Sequence, residues 1–67
     1  MAVVKNIEII AESDVSWEAA AQAAIDEAAK TVTNINQIYI DYFKGIVENN
    51  KIVKYSVNTK ISFVVKS

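Results

Sequence analysis

Two stretches of alternating apolar and polar residues flank the pair Asn49-Asn50, and they constrain the fold more than any other feature of the chain. Asparagine adopts a positive φ angle more readily than most residues, so two asparagines in succession suit a two-residue β-hairpin turn. If they form the turn, Glu48 pairs with Lys51, and the register of both strands follows from that pair. The sequence therefore predicts a long antiparallel hairpin over residues 35–65.

The predicted register assigns the hairpin side chains to two faces. The pairs predicted for the first face are Ile38 with Ile61, Ile40 with Thr59, and Tyr42 with Val57. The pairs predicted for the second face are Tyr39 with Lys60, Asp41 with Asn58, and Phe43 with Ser56. The first face is largely apolar and the second is mixed, as is typical of a sheet that a helix covers on one side. Gly45 lies inside the first strand, where an isolated glycine often marks a bulge, so we expect the register to slip by one residue beyond it.

The segment before the hairpin predicts a strand followed by a helix. β-branched residues dominate residues 3–11, which indicates a strand that ends at the polar stretch 12–14. Ser16 suits a helix N-cap, and the alanine-rich sequence after it has a high helix propensity. Apolar residues then recur at three- and four-residue spacing, which predicts a helix over residues 17–33. This apolar stripe consists of Trp17, Ala20, Ala21, Ala24, Ile25, Ala28 and Val32.

These elements predict an α+β protein with the order β-α-β-β in a single domain, residues 1–67. A chain of 67 residues buries only about 60% of the surface that it exposes when unfolded, so its own core is marginal. The chain has neither cysteine nor histidine, which excludes disulfide bonds and the usual zinc sites. Because 52% of the residues are nevertheless hydrophobic, oligomerisation is the remaining route to stability.

The lengths of the predicted elements also indicate an oligomer. The second hairpin strand extends roughly 45 Å at ~3.3 Å per residue. The predicted helix is only about 26 Å long at ~1.5 Å per residue. One helix cannot cover that sheet, so we expect other subunits to cover the remainder.

Charge and motifs exclude several classes of function. The net charge is −1, and no clustered basic surface or arginine is visible, so we expect no nucleic-acid partner. No apolar run approaches the ~18 residues of a membrane span, and no signal peptide is visible, so we expect a cytoplasmic protein without a membrane partner. The chain also has no P-loop, nucleophile elbow or Gly-rich nucleotide motif, so we expect no catalytic residues and no enzyme activity.

The order of these elements, together with four short motifs, resembles the dodecin family. The resemblance covers nearly the whole chain, from Val4 to Val65. The motifs are Ser-Trp-Glu-Ala-Ala at residues 16–20, Lys-Gly at 44–45, Val-Lys-Tyr-Ser-Val at 53–57 and Ile-Ser-Phe at 61–63. The resemblance implies a three-stranded antiparallel sheet partly wrapped around one helix, with twelve subunits assembled into a hollow homododecamer. It also implies storage or sequestration of a flavin, which is FMN, FAD or riboflavin.

Two residues typically mark the flavin site of dodecins. A tryptophan on the first hairpin strand stacks on the isoalloxazine ring, and a glutamine on the second strand donates and accepts hydrogen bonds with it. The corresponding positions here hold Gln37 and Ser56. Gln37 cannot supply ring stacking, worth ~1–3 kcal/mol by analogy with nucleobases, and serine is too short for a two-point amide contact. Flavin binding is therefore predicted to be weakened by two or more decades, or lost.

Other aromatic residues offer both a binding interpretation and a packing interpretation. Tyr39 and Phe43 are predicted to share a face with Gln37, where they form either a substitute platform for a planar ligand or part of a subunit interface. Trp17 lies at the helix start on the apolar stripe, which favours a packing role over a ligand contact.

Two further hypotheses remain open on sequence grounds. The chain could form a purely structural oligomer stabilised by ions such as calcium, since symmetry can bring isolated carboxylates together. The candidate carboxylates are Glu8, Glu12, Asp14 and Asp41, although a solvated acidic surface without bound metal is the favoured interpretation. Alternatively, the chain could be a small adaptor domain whose strand edge pairs with another protein.

Overall fold

The computed structural model describes residues 1–66 and has the predicted β-α-β-β order. The elements are β1 (Val3–Ser13), α1 (Trp17–Ala28), β2 (Ile35–Glu48) and β3 (Lys51–Lys66). The three strands form one sheet in the order β1-β3-β2, and both pairings are antiparallel. The predicted α+β class and sheet arrangement are confirmed. β1 continues past Ala11, its predicted end, to Ser13.

The turn between β2 and β3 forms at the predicted residues. Asn49 and Asn50 have φ angles of 52° and 65°, and Glu48 pairs with Lys51. Two successive residues with positive φ give a turn whose twist matches that of the flanking strands, and asparagine tolerates this conformation well. The local preference of two asparagines therefore sets the starting register of the hairpin.

The hairpin follows the predicted register only in part. Ile38 pairs with Ile61, Tyr39 with Lys60, and Ile40 with Thr59, as predicted. The register then shifts between Ile40 and Tyr42, because Asp41 is an extra residue on β2. The predicted pairs that involve Asp41, Tyr42 and Phe43 are therefore wrong, since Tyr42 pairs with Asn58 and Phe43 with Val57.

A second register shift compensates for the first. It lies between Ile46 and Val47, next to Gly45, where the sequence predicted a slip of one residue. The two shifts restore the original register before the turn. Because side chains alternate across a strand, the one-residue shift moves Tyr42 and Phe43 to the faces opposite those predicted.

The helix begins as predicted and ends five residues early. The Ser16 hydroxyl oxygen accepts a hydrogen bond from the Ala19 N–H at 2.9 Å, which caps the helix N-terminus. After Ala28 the chain forms turns, and Asn34 has a φ angle of 62°. Thr31 and Thr33 are poor helix formers, which explains the early end. Val32 still packs against the core, which explains why the apolar spacing in the sequence extends beyond the end of the helix.

The hydrophobic core lies between α1 and one face of the sheet, which we call the helix face. Ala20, Ala24 and Ala28 are buried on α1, and Ile61 is buried on the central strand β3. Alanine side chains allow the helix to lie close to the sheet, where its apolar surface is removed from water. The partly buried residues around this cluster are Ile7, Ile9, Ala11, Ile25, Val32, Ile35 and Ile38.

Much of the sheet extends beyond α1. The described chain measures 51 × 20 × 13 Å, whereas a helix of 12 residues is about 18 Å long at ~1.5 Å per residue. Exposed apolar side chains are correspondingly numerous, and those of the hairpin end include Val47, Ile52 and Val53. Within residues 1–66, no helix has the length and apolar character needed to cross a membrane.

Candidate functional site

The face of the sheet opposite α1, which we call the open face, carries three of the four predicted ligand-contacting residues. Gln37 lies opposite Ser62, Tyr39 opposite Lys60, and Ser56 opposite Lys44. Tyr39 is 58% exposed, whereas Ser56 is completely buried. The sequence therefore predicted correctly that Gln37, Tyr39 and Ser56 share a face.

Gln37 and Ser56 do not lie near each other within one chain. The β3 partner of Gln37 is six residues from Ser56, which corresponds to about 20 Å along the strand at ~3.3 Å per residue. A single flavin ring system cannot contact both side chains over that separation. A flavin ring that contacts both residues would therefore have to take them from two copies of the chain.

Phe43 lies on the helix face, so the prediction that it shares a face with Gln37 and Tyr39 is wrong. Its ring packs edge-on against Trp17, with a centroid separation of 6.1 Å. Trp17 also packs against Tyr55 at 4.8 Å. The physical reason for the correction is the extra residue Asp41, which reverses the alternation of β2 immediately before Phe43. Trp17 has the packing role expected from its place on the apolar stripe.

Tyr42 takes the place predicted for Phe43 on the open face, which the sequence alone did not indicate. Tyr42 is 66% exposed and lies opposite Asn58 on β3. Nothing in the alternation of residues 35–48 marks the bulge, because the pattern continues through Asp41 without interruption. A three-dimensional pairing register was therefore needed to find this residue.

Small polar residues of β3 form the floor of a channel along the open face, which we call the β3 trough. Its floor residues are Ser56, Asn58 and Ser62, with Lys60 interrupting them. On one side the register places Asn6, Glu8, Ile10 and Glu12 of β1, and on the other Gln37, Tyr39, Tyr42 and Lys44 of β2. The larger side chains of both outer strands flank the smaller side chains of the floor.

Two floor atoms lack hydrogen-bond partners among residues 1–66. They are the Ser56 hydroxyl oxygen and the Asn58 carbonyl oxygen Oδ1, and both are shielded from solvent. A buried polar group without a partner costs roughly 1–3 kcal/mol, and such groups are rare in folded proteins. These atoms could accept hydrogen bonds from a molecule that enters the trough.

The Dodecin family model matches residues 3–66. The chain belongs to the dodecin family.

Solved structures of dodecins superpose on the whole chain. A dodecin from Thermus thermophilus is 25% identical, with a TM-score of 0.90 and coverage of 100% of both chains. A dodecin from Streptomyces davaonensis is 18% identical, with a TM-score of 0.87 over 98% of this chain and 97% of its own. The second comparison supports the fold alone. No curated protein sequence is significantly similar to the chain.

The charged residues of this dodecin-family chain are spread over the open face. Lys60 Nζ lies 3.8 Å from Asp41 Oδ2, so the bulge residue is the partner of the trough lysine. Glu8 and Glu12 lie along β1, and Asp14 lies in the turn before α1. Among residues 1–66, no three histidine, cysteine, aspartate or glutamate side chains form a group that could hold a metal ion.

Two surface depressions of this dodecin-family chain lie away from Gln37 and Tyr39. One, of about 450 Å³, is lined by Glu12, Ser13, Asp14, Ala19, Ala23 and Lys54. The other, of about 300 Å³, is lined by Thr31, Val32, Thr33, Asn34, Phe63, Val64 and Val65. Since neither contains a predicted ligand-contacting residue, the open face is the candidate binding site of this chain.

Proposed function

We propose that this protein is a homo-oligomeric storage or sequestration particle for a planar small molecule of the flavin type, and not an enzyme. The observation that carries this proposal is the dodecin family match over residues 3–66, together with a fold that superposes over its full length. Flavin binding without catalysis is a property of the dodecin family. The proposed cofactor is accordingly FMN, FAD or riboflavin, held in a cytoplasmic particle.

The proposed assembly is a hollow homododecamer. Its support within the chain is the apolar surface that α1 leaves uncovered, of which Val15 and Phe43 are each more than 60% exposed. Exposed apolar residues of this number are unusual in a small monomer and typical of subunit contacts. Covering them with identical subunits removes apolar area from water and stabilises a fold whose own core is small.

We propose that the ligand contacts Gln37, Tyr39 and Ser56, with the affinity for flavin weakened. Gln37 has no ring to stack on an isoalloxazine, and the short Ser56 side chain is buried on the trough floor. The separation of about 20 Å between the positions requires two subunits to supply these contacts. Phe43 lies on the helix face and could contribute only from a different subunit.

Native mass spectrometry of freshly purified protein tests the assembly and its cargo together. A homododecamer has a mass of about 90 kDa, which is twelve times 7.4 kDa. We expect this species, with little flavin retained. A monomer or dimer would refute the proposed assembly and favour the adaptor hypothesis.

A fluorescence titration with riboflavin and FMN tests the affinity. We expect quenching only at micromolar or higher protein concentrations, because the stacking ring and the amide are both replaced. Submicromolar quenching would show that the replacements at Gln37 and Ser56 do not weaken binding. Addition of a chelator should leave the assembly unchanged, whereas its dissociation would favour a calcium-stabilised structural oligomer.

A further inference from the structure

We infer that Tyr42 and Asn58 form a binding position for a flat heterocyclic ligand, with the Tyr42 ring stacking on it and Asn58 accepting a hydrogen bond from its edge. This inference rests on the proposed function, since it names the residues that receive a planar ligand in place of the replaced stacking residue. It concerns positions different from Gln37, and the register of the hairpin is what brings them together.

The bulge at Asp41 places the Tyr42 ring on the open face. In an unbroken register Tyr42 would face α1, where the core lies. Instead it lies opposite Asn58, and it is 66% exposed. A tyrosine offers a large, rigid surface for stacking with little side-chain entropy to lose, and it is enriched in binding surfaces for that reason.

Two polar atoms of the floor beside Tyr42 have no hydrogen-bond partner in the described part of the chain. The Ser56 hydroxyl oxygen and the Asn58 Oδ1 atom are both buried without a partner among residues 1–66. They are neighbours on the same face of β3, so both point towards the trough. A ligand edge with an N–H group would satisfy the acceptor of Asn58, and it would remove the cost of leaving that atom unpaired.

The width of the trough suits a single flat ring. Ile10 on β1 and Tyr42 on β2 flank Asn58 from opposite sides, and both are about two-thirds exposed. Their strands lie about 10 Å apart, which is twice the ~4.8 Å spacing of neighbouring strands. The flanking side chains shield the floor, so the ligand enters as they rotate, a motion that exposed side chains complete within nanoseconds.

These contacts define the chemical class of the ligand. It must have a planar aromatic face for Tyr42 and a ring N–H donor for Asn58, which are features of flavins and other fused heterocycles. Lys44 lies in the next row of the open face, opposite Ser56, where it is exposed. A ligand with an anionic substituent therefore gains an additional attraction over a neutral one.

Riboflavin is the probe for the test, and its fluorescence is titrated with the assembled protein and with variants. Tyr42→Ala should weaken binding roughly tenfold to a hundredfold, as expected for the loss of one stacking partner. Tyr42→Phe keeps the ring and should bind as the wild type does, which makes it the matched control. Tyr42→Trp enlarges the ring and should bind more tightly than the wild type.

Asn58→Leu tests the hydrogen bond independently, because it removes the acceptor and is expected to weaken binding at least severalfold. Native mass spectrometry confirms that each variant assembles. If Tyr42→Ala fails to assemble, the tighter binding expected of Tyr42→Trp decides the question, and its absence refutes the inference. Unchanged affinity in assembled Tyr42→Ala also refutes it, while the proposed flavin-binding function stands. If the wild-type dodecamer does not bind riboflavin at all, both the flavin function and this inference are refuted.

Discussion

The indole N–H of Trp17 donates a hydrogen bond to the backbone carbonyl oxygen of Lys44 at 2.9 Å, and so joins the first residue of α1 to the edge strand β2. The same indole ring packs against Tyr55 of β3 and Phe43 of β2. One side chain therefore connects the helix to two strands, on the part of β2 that lies between the register shift at Asp41 and the one between Ile46 and Val47.

The hydrogen bond of Trp17 should contribute a modest part of the stability of the fold. Trp17→Phe keeps an aromatic ring and removes the donor, and we expect the free energy of unfolding to fall by about 1 kcal/mol. Trp17→Ala also removes the ring contacts, so its loss should be clearly larger. Urea unfolding at one fixed protein concentration measures both, since the stability of an oligomer depends on concentration. An unchanged free energy of unfolding in Trp17→Phe would contradict a contribution from the hydrogen bond, and equal losses in the two variants would contradict a contribution from the ring contacts.

The turn at Asn49-Asn50 should become more stable when its second residue is glycine. Asn50 has a φ angle of 65°, which glycine adopts without steric cost, and Asn-Gly is the preferred sequence for this turn type. We expect Asn50→Gly to raise the free energy of unfolding by a few tenths of a kcal/mol, up to about 1 kcal/mol. Asn50→Val should have the opposite effect and lower the stability, because a β-branched residue is strained at positive φ. If thermal unfolding shows that Asn50→Val has the same melting temperature as the wild type, this conformation of the turn is excluded.

The hydroxyl of Thr59 should stabilise the fold by joining β3 to β1. Thr59 is 2% exposed, and its hydroxyl donates a hydrogen bond of 2.8 Å to the carbonyl oxygen of Ile9. Thr59→Val has nearly the same shape but lacks the donor, so we expect a loss of about 1 kcal/mol in the free energy of unfolding. Thr59→Ser keeps the hydroxyl and removes one methyl group, which separates the polar effect from the packing effect. If denaturant titration shows that Thr59→Val is more stable than the wild type, a net stabilising contribution from this hydrogen bond is contradicted.

Restoring the usual dodecin residues should restore flavin binding. The double variant Gln37→Trp and Ser56→Gln supplies a stacking ring and a long amide on the open face, and we expect a gain of two or more decades in riboflavin affinity. Each single variant should give part of this gain. Fluorescence quenching measures it, and the same double change at Ile46 and Lys54 is the control, because those positions share the face but not the family role. No gain in the first variant would mean that the site positions are misassigned.

The parts of the fold that could be predicted were those governed by local chemistry. The Ser16 cap, the Asn49-Asn50 turn and the strand alternation near Ile38 each depend on residues within a few positions of one another. Periodicity also identified α1, but it extended the helix to residue 33. Val32 packs on the core from the segment between α1 and β2, and its place in the apolar pattern is the same as that of a residue on the helix.

By itself the sequence determined the order of the elements, the hairpin turn and the family resemblance, because propensity and side-chain period act along the chain. Only the tertiary structure decided which face Tyr42 and Phe43 occupy. That choice depends on a single extra residue, Asp41, in the pairing of β2 with β3. The side-chain period is two, so one inserted residue exchanges the two faces, and nothing in the neighbouring residue types records it.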